Sequence, residues 1–137
     1  MICIKNKLIP FKGYKAINIF GIVFTKGNLT KEEKNHERIH SCQMFDIGLL
    51  TLTVLVVLDI LFNFSNWLFL ISIPSFYIWY CIEYLIIRFF HKKQKDAYRD
   101  VSFEEEAHLN DNNLSYIEEE RIPFRWMNYI KIKSFKK

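Results

Sequence analysis

His36, Glu37 and His40 are the residues best spaced for chemistry, in the run His36-Glu37-Arg38-Ile39-His40. Two histidines four apart lie on one face of a helix, so their imidazoles can share one Zn²⁺. The glutamate between them sits where it can take a proton from a metal-bound water. Cys42 follows His40 by two positions, about 200° around a helix, and so faces away from such a site. Zinc needs a third protein ligand, with water in the fourth position for catalysis. Glu104, Glu105, Glu106, His108, His91 and Glu83 are the candidates. The contrary reading is a solvated helix face that carries two histidines by chance.

The elements that must hold these residues can be read from local signals. Thr30-Lys31-Glu32-Glu33 fits the S/T-x-x-E capping box, so the motif starts about two turns into a helix. No breaker intervenes before Asn63, and the helix is expected to continue into an apolar run. Residues 47–62 extend roughly 24 Å at 1.5 Å per residue, a little short of the ~30 Å of a bilayer core. After a polar turn at 63–66, residues 67–90 form a second run long enough to cross with tilt, with Pro74 expected to kink it or delay its start. Asp59 belongs near the turn or against the partner helix, and Glu83 is expected to be interfacial, the alternative being a buried pairing with Arg88 or with the zinc site. Upstream, residues 8–26 are rich in β-branched and aromatic side chains punctuated by Gly13 and Gly21, which predicts one or two short strands before a turn at Gly27-Asn28. Downstream, Ser102-x-x-Glu105 predicts a second capping box and Ser115-x-x-Glu118 a third. Capping from Ser102 would make Glu105 the N3 residue and leave Glu104 or Glu106 as the third ligand. Pro123 ends this stretch, and the basic-aromatic tail that follows suits the headgroup region of an anionic leaflet.

A chain of 137 residues has room for one domain. Half of it is hydrophobic and a quarter charged, but unevenly: residues 47–90 contain only Asp59, Glu83 and Arg88 as charges. Apolar content gathered in one block is the signature of membrane spans rather than of a soluble core. Lys26, Lys31, Lys34 and Arg38 precede the first run, Arg88, Lys92, Lys93 and Lys95 flank the end of the second, and the loop between carries no cation. The positive-inside rule then puts both termini in the cytoplasm. No signal peptide is expected, because the first 24 residues have scattered lysines and no continuous apolar stretch. Cys3, Cys42 and Cys81 read as free thiols. A net charge of +4, with cations beside apolar runs, argues against nucleic-acid binding.

The expected architecture is mainly α: a helical transmembrane hairpin with a short N-terminal β segment and a cytoplasmic zincin-like helix pair. Its parts are short strands in 1–29, a motif helix in 30–62 running into the first span, a second span in 67–90, a third-ligand helical region in 102–122 and the tail at 123–137.

An H-E-x-x-H followed tens of residues later by a helix reading E-x-x-A resembles the gluzincin metallopeptidases, and in particular their integral-membrane branch, the CAAX prenyl-protease type and the penicillin-sensing transducer peptidases. The chain also resembles small bacterial membrane proteins that combine an H-E-x-I-H with an F-Y-x-W-Y-x-I-E-Y-type second span, here residues 76–84, and an F-E-x-E-A segment, here residues 103–107. The resemblance implies a zinc metalloendopeptidase of the bacterial inner membrane acting on a peptide or protein. It implies His36, His40 and Glu104 as ligands and Glu37 as general base. In the prenyl-protease branch an aspartate stands four residues after the ligand glutamate, whereas here that position is His108, which fits a partner of the ligands, a transition-state donor or a competing ligand. His108, Tyr98 and Tyr116 are the candidate oxyanion donors. Gluzincins often pair extended substrate with a strand upstream of the motif helix, a role that residues 17–24 could take by β-addition; the same strand could simply cover the helix. The rival to catalysis is a non-catalytic membrane protein with a structural zinc, closed by a fourth ligand from His108 or Glu106, or a regulator derived from a peptidase.

Overall fold

The computed structural model describes residues 2–6, 8–9, 13–63, 66–90 and 94–130. It is mainly helical, with a three-stranded sheet at the N-terminus. The sheet contains β1 (Ile2–Lys5), β2 (Ala16–Ile19) and β3 (Ile22–Thr25) in the order β1-β3-β2, with β1 parallel and β2 antiparallel to the central β3. β1 lies within residues 1–29, expected to hold short strands, but ahead of the strand-rich stretch at 8–26; its pairing partner Ile22 is twenty positions away and no turn signal announces it. Phe20 and Gly21 join β2 to β3 with φ of 51° and 80°. Two successive positive φ values match the twist of a two-residue hairpin. Phe20, which has a Cβ to accommodate there, is fastened by a hydrogen bond from its N–H to the Tyr77 hydroxyl (2.8 Å) and an edge-on ring contact with Tyr77.

The helix α1 (Lys31–Phe62) begins on the expected capping box: Thr30 Oγ1 accepts from Glu33 N–H, and Thr30 N–H donates to the Glu33 carboxylate (2.8 Å). It runs unbroken for 32 residues and ends at Asn63, which is left-handed at φ 50° and donates its N–H to the Asp59 carbonyl. The first half of α1 is packed under the sheet and the later helices, while Ile60, Leu61 and Phe62 at its far end are exposed. It is long and apolar enough to span a membrane.

The second apolar run is not one continuous helix. A 3₁₀ segment (Asn66–Ser72) is followed by α2 (Ser75–Phe90), and the two axes differ by 59°. Pro74 stands at the break, where its missing N–H and its ring prevent an α-helix from continuing through it. Both pieces pack on α1.

Two short helices complete the fold, α3 (Gln94–Arg99) and α4 (Ser102–Asn110), followed by one π-helical turn (Tyr116–Glu120) and one 3₁₀ turn (Arg125–Tyr129). The core where these meet α1 and α2 contains Ile47, Phe76, Ile87, Phe103 and Trp126. Trp126 is 1% exposed, with its ring against Phe103 and Trp79. The first part of the tail is therefore a core element rather than a surface strip, since the aromatic ring buries more apolar area against Phe103 than a headgroup layer would offer. Residues 131–137 of the tail lie outside the described residues.

Candidate metal centre

Three side chains from two other helices clamp α4. Its first turn is not capped by Ser102: Val101 is the N-cap residue, without a side-chain cap. Instead, the Glu83 carboxylate reaches across from α2 and accepts from Ser102 N–H (2.9 Å) and Ser102 Oγ (2.8 Å). A charged acceptor at a helix N-terminus satisfies a free N–H more strongly than a neighbouring hydroxyl can. Glu83 therefore pairs with this helix end rather than with the histidines. At the other end, Asn35 Nδ2 of α1 donates to the carbonyls of Asn110, Asp111 and Asn113. In the middle, Gln43 Nε2 donates to the Phe103 carbonyl (3.1 Å) and to Glu106 Oε2 (2.9 Å). These contacts fix the rotation of α4 against α1. Ser115 likewise makes no cap; its hydroxyl donates to Glu119 and Asn113.

That rotation brings Glu104 to the motif. His36 Nε2 and His40 Nε2 are 3.1 Å apart. Glu104 Oε2 lies 3.5 Å from the first and Glu104 Oε1 3.4 Å from the second, and the side chain is 4% exposed. Three ligands on a tetrahedral ion with bonds of about 2.0–2.1 Å would stand about 3.4 Å from one another, so the three edges match the spacing that such an ion requires. Glu104 Oε1 accepts from the Tyr80 hydroxyl (3.0 Å), whereas Oε2 is buried without a hydrogen-bond donor. A buried carboxylate oxygen with no donor, 3.5 Å from His36 Nε2, fits a metal cation. Two imidazoles and one carboxylate are also the donor set of a catalytic zinc site with one position left open.

His40 is held in place by Gln43. Its Nδ1 lies 2.8 Å from Gln43 Oε1, so Nδ1–H donates there and Nε2 is the nitrogen turned toward Glu104 and His36. Burial pulls the His40 pKa down, but the Glu104 carboxylate more than offsets this and raises it to about 9. Burial would raise the Glu104 carboxyl; the His40 charge, with both imidazoles close by, instead holds it far below the usual carboxylate range. This coupled pair is what a cation would replace. Glu37, 8% exposed, behaves differently: burial raises its pKa, while the charges on His40 and His36 only partly oppose the shift. A buried carboxylate of raised proton affinity beside the ligand trio is suited to general-base work. Asn18 Nδ2 of β2 donates to the Glu37 carbonyl (2.7 Å) and to Ser41 Oγ, which ties the sheet to this turn of α1.

The remaining sequence candidates fall in separate places. His108 lies 3.6 Å from Glu104 Oε2, beside the trio, and can join His36 and Asp111 in a second spacing compatible with a metal. Burial and the His36 charge lower its pKa. Glu106 points away from the histidines. It accepts from Tyr116 Oη (3.0 Å) and Arg121 Nε (2.9 Å), and Arg121 also donates to Asp46 (2.7 Å) in a buried network. Tyr116 is thereby committed to Glu106 and stands outside the ligand trio, while Tyr98 lines the same cavity as Glu104. Cys42 is absent from both metal-compatible groups. His91 lies outside the described residues.

Gln43, Tyr80 and Asn18 were not evident as site residues from the sequence. Gln43 carried a local signal, being three positions after His40 on the same helix face, and Tyr80 lies within the motif at residues 76–84. Gln43→Met keeps the volume and removes the acceptor, and is expected to weaken Zn²⁺ or Co²⁺ binding by roughly 10–100-fold. Competition with a chromophoric chelator would measure this; unchanged affinity would remove Gln43 from the site.

Two cavities meet at the histidines. One, of about 390 Å³, is walled by Tyr14, Met44, Phe76, Tyr77, Tyr80 and Tyr84; the other, of about 280 Å³, by Lys15, Glu32, Glu33, His108 and Asp111. Ala16 of the edge strand β2, His36 and Glu37 line both. No protein-family model matches the chain, and neither does any curated protein or solved structure.

Proposed function

We propose that this protein is a membrane-integrated zinc metallopeptidase of the gluzincin type. The observation that carries the reading is the spacing of His36, His40 and Glu104, with one Glu104 oxygen beside each imidazole, Oε2 lacking a hydrogen-bond donor, and Glu37 alongside. In this reading His36 Nε2, His40 Nε2 and Glu104 hold Zn²⁺. Bound there, the ion would supply Lewis acidity, which lowers the pKa of a coordinated water and polarises a carbonyl. Glu37 accepts a proton from the attacking water and returns it to the leaving amine, which its raised proton affinity favours. Tyr98, which lines a cavity with Glu104, and His108, 3.6 Å from Glu104 Oε2, are the candidate donors to the developing oxyanion. The edge strand β2, beside Glu37, offers backbone groups for an extended peptide.

The membrane part of the proposal has α1 and the bent pair formed by the 3₁₀ segment and α2 as a hairpin in lipid. Their exposed apolar residues contact the acyl chains, and both termini and the catalytic groups lie on the cytoplasmic side. An absence of cations between the runs supports that orientation.

Detergent-purified protein is expected to hydrolyse an unstructured fluorogenic polypeptide. A strong chelator should abolish the activity and stoichiometric Zn²⁺ restore it. Hydrolysis that persists in the chelated, dialysed protein would refute the metal-dependent mechanism.

A further inference from the structure

The two cavities that meet at Glu37 differ in chemistry, and this asymmetry bears on what is cleaved. On one flank the wall is aromatic: Phe76, Tyr77, Tyr80 and Tyr84 are spaced so that one face of α2 presents them to the cavity, with Met44 of α1 opposite. The other face of the same helix is apolar and exposed, carrying Ile78, Trp79, Ile82, Leu85 and Phe89. A single helix thickness therefore separates the aromatic cavity from an exposed apolar face. On the opposite flank the wall carries charged side chains, Lys15 bound to Glu33 (2.6 Å), Glu32 and Asp111, together with His108 and Leu29. The edge strand β2 runs beside both, and Ala16, with no bulk of its own, lies where they join.

An extended chain laid along β2 would thus place one flank of its scissile bond in an aromatic cavity beside the apolar face and the other among charges. We propose that the substrate is a membrane-anchored polypeptide cut at its apolar-to-polar boundary, a large apolar side chain entering the cavity against α2 and a polar segment lying over Lys15, Glu32 and Asp111. This rests on the peptidase reading and adds the class of sequence that the site selects. The volume of about 390 Å³ admits a side chain as large as tryptophan with room to spare. Burying such a side chain there favours binding by roughly 10–100-fold over alanine. A cleft with unlike ends also reads direction, because a reversed block order puts charges among the aromatic rings, where they lack partners.

The test uses the full chain reconstituted in phosphatidylethanolamine–phosphatidylglycerol vesicles. The probes are synthetic peptides with an apolar block and a polar block in either order, and a peptide in which the boundary residue is alanine. Binding is read by anisotropy of a labelled peptide on the zinc-loaded Glu37→Gln protein, and cleavage by mass spectrometry with the wild type. The expected result is that one block order binds at least about tenfold more tightly than the other, that alanine at the boundary weakens binding by about tenfold or more, and that cleavage maps to the boundary. Met44→Ala should reduce the preference for a large boundary residue while leaving zinc content unchanged. If both orders and the alanine peptide bind equally, and a generic polypeptide is still cleaved in a zinc-dependent way, the substrate class is wrong and the peptidase reading stands. If no peptide binds or is cleaved by the zinc-loaded protein, both fall.

Discussion

Glu37→Gln is expected to keep its zinc and lose hydrolysis by about 10²–10⁴-fold, the range contributed by a positioned general base. Glutamine preserves the size of the side chain and the local polarity of the cavity, but its amide cannot accept the proton that the attacking water must give up. The effect should be on turnover more than on substrate binding, because the cavity walls are made by other residues. Metal content and kcat, measured on the same preparation, separate the possible outcomes. Zinc retained with turnover lost supports Glu37 as the base. Turnover retained in the glutamine variant contradicts it and leaves the metal with a structural role.

The largest expected loss of stability comes from a residue outside the ligand trio. Arg121→Met removes the only cation hydrogen-bonded to Glu106 and Asp46 among the described residues, in a network where the three side chains are 6%, 0% and 6% exposed. Burial works against the Arg121 charge, yet the Glu106 and Asp46 carboxylates more than restore it, so the guanidinium stays protonated. Without it two carboxylates face each other's surroundings with neutral donors alone, Tyr116 and Gln43 on Glu106 and the Phe124 N–H on Asp46. Stranding buried charges in this way costs about 3–5 kcal/mol. A fall in Tm on the order of 10 °C follows for a chain of this size. Glu106→Gln added to the same chain should recover part of the loss, because one of the stranded charges is then gone. A melting temperature that does not move in Arg121→Met would show that the network contributes no net stability. The same substitution has a second consequence. Gln43 is anchored on Glu106, so loosening Glu106 should also loosen the acceptor that holds His40.

The sequence and the structure agree where the signal is local. Thr30 and Glu33 are three residues apart, and the capping box they form starts α1 where it was expected. His36 and His40 lie on one face because helix geometry dictates it, and Asn63 ends the helix at the left-handed residue. Glu104 came from resemblance rather than from spacing, and it is the carboxylate that the fold brings to the two imidazoles. Agreement ends where the partner is distant. Ser102-x-x-Glu105 has the local form of a capping box, but Glu83, nineteen residues away on another helix, takes the N–H. Counting from Val101 as N-cap makes Glu104 the N3 residue, so the elimination of Glu105 by capping rested on the wrong register. Arg121 and Asp46 are 75 positions apart, and nothing in the neighbourhood of either announces the other. Trp126 sits among cations and aromatics that read as a surface strip, although its ring is the cover of Phe103. Short-range rules report propensity and caps; they are silent on which buried polar group will meet which.

Zinc per chain in the detergent-purified protein, determined by elemental analysis beside His40→Ala and Glu104→Ala, tests the central claim most directly. The account predicts close to one zinc in the wild type and loss of tightly held metal in both variants, each of which removes one of three ligands. A wild-type protein that binds no zinc, or a Glu104→Ala protein that holds it as tightly as the wild type, would contradict it.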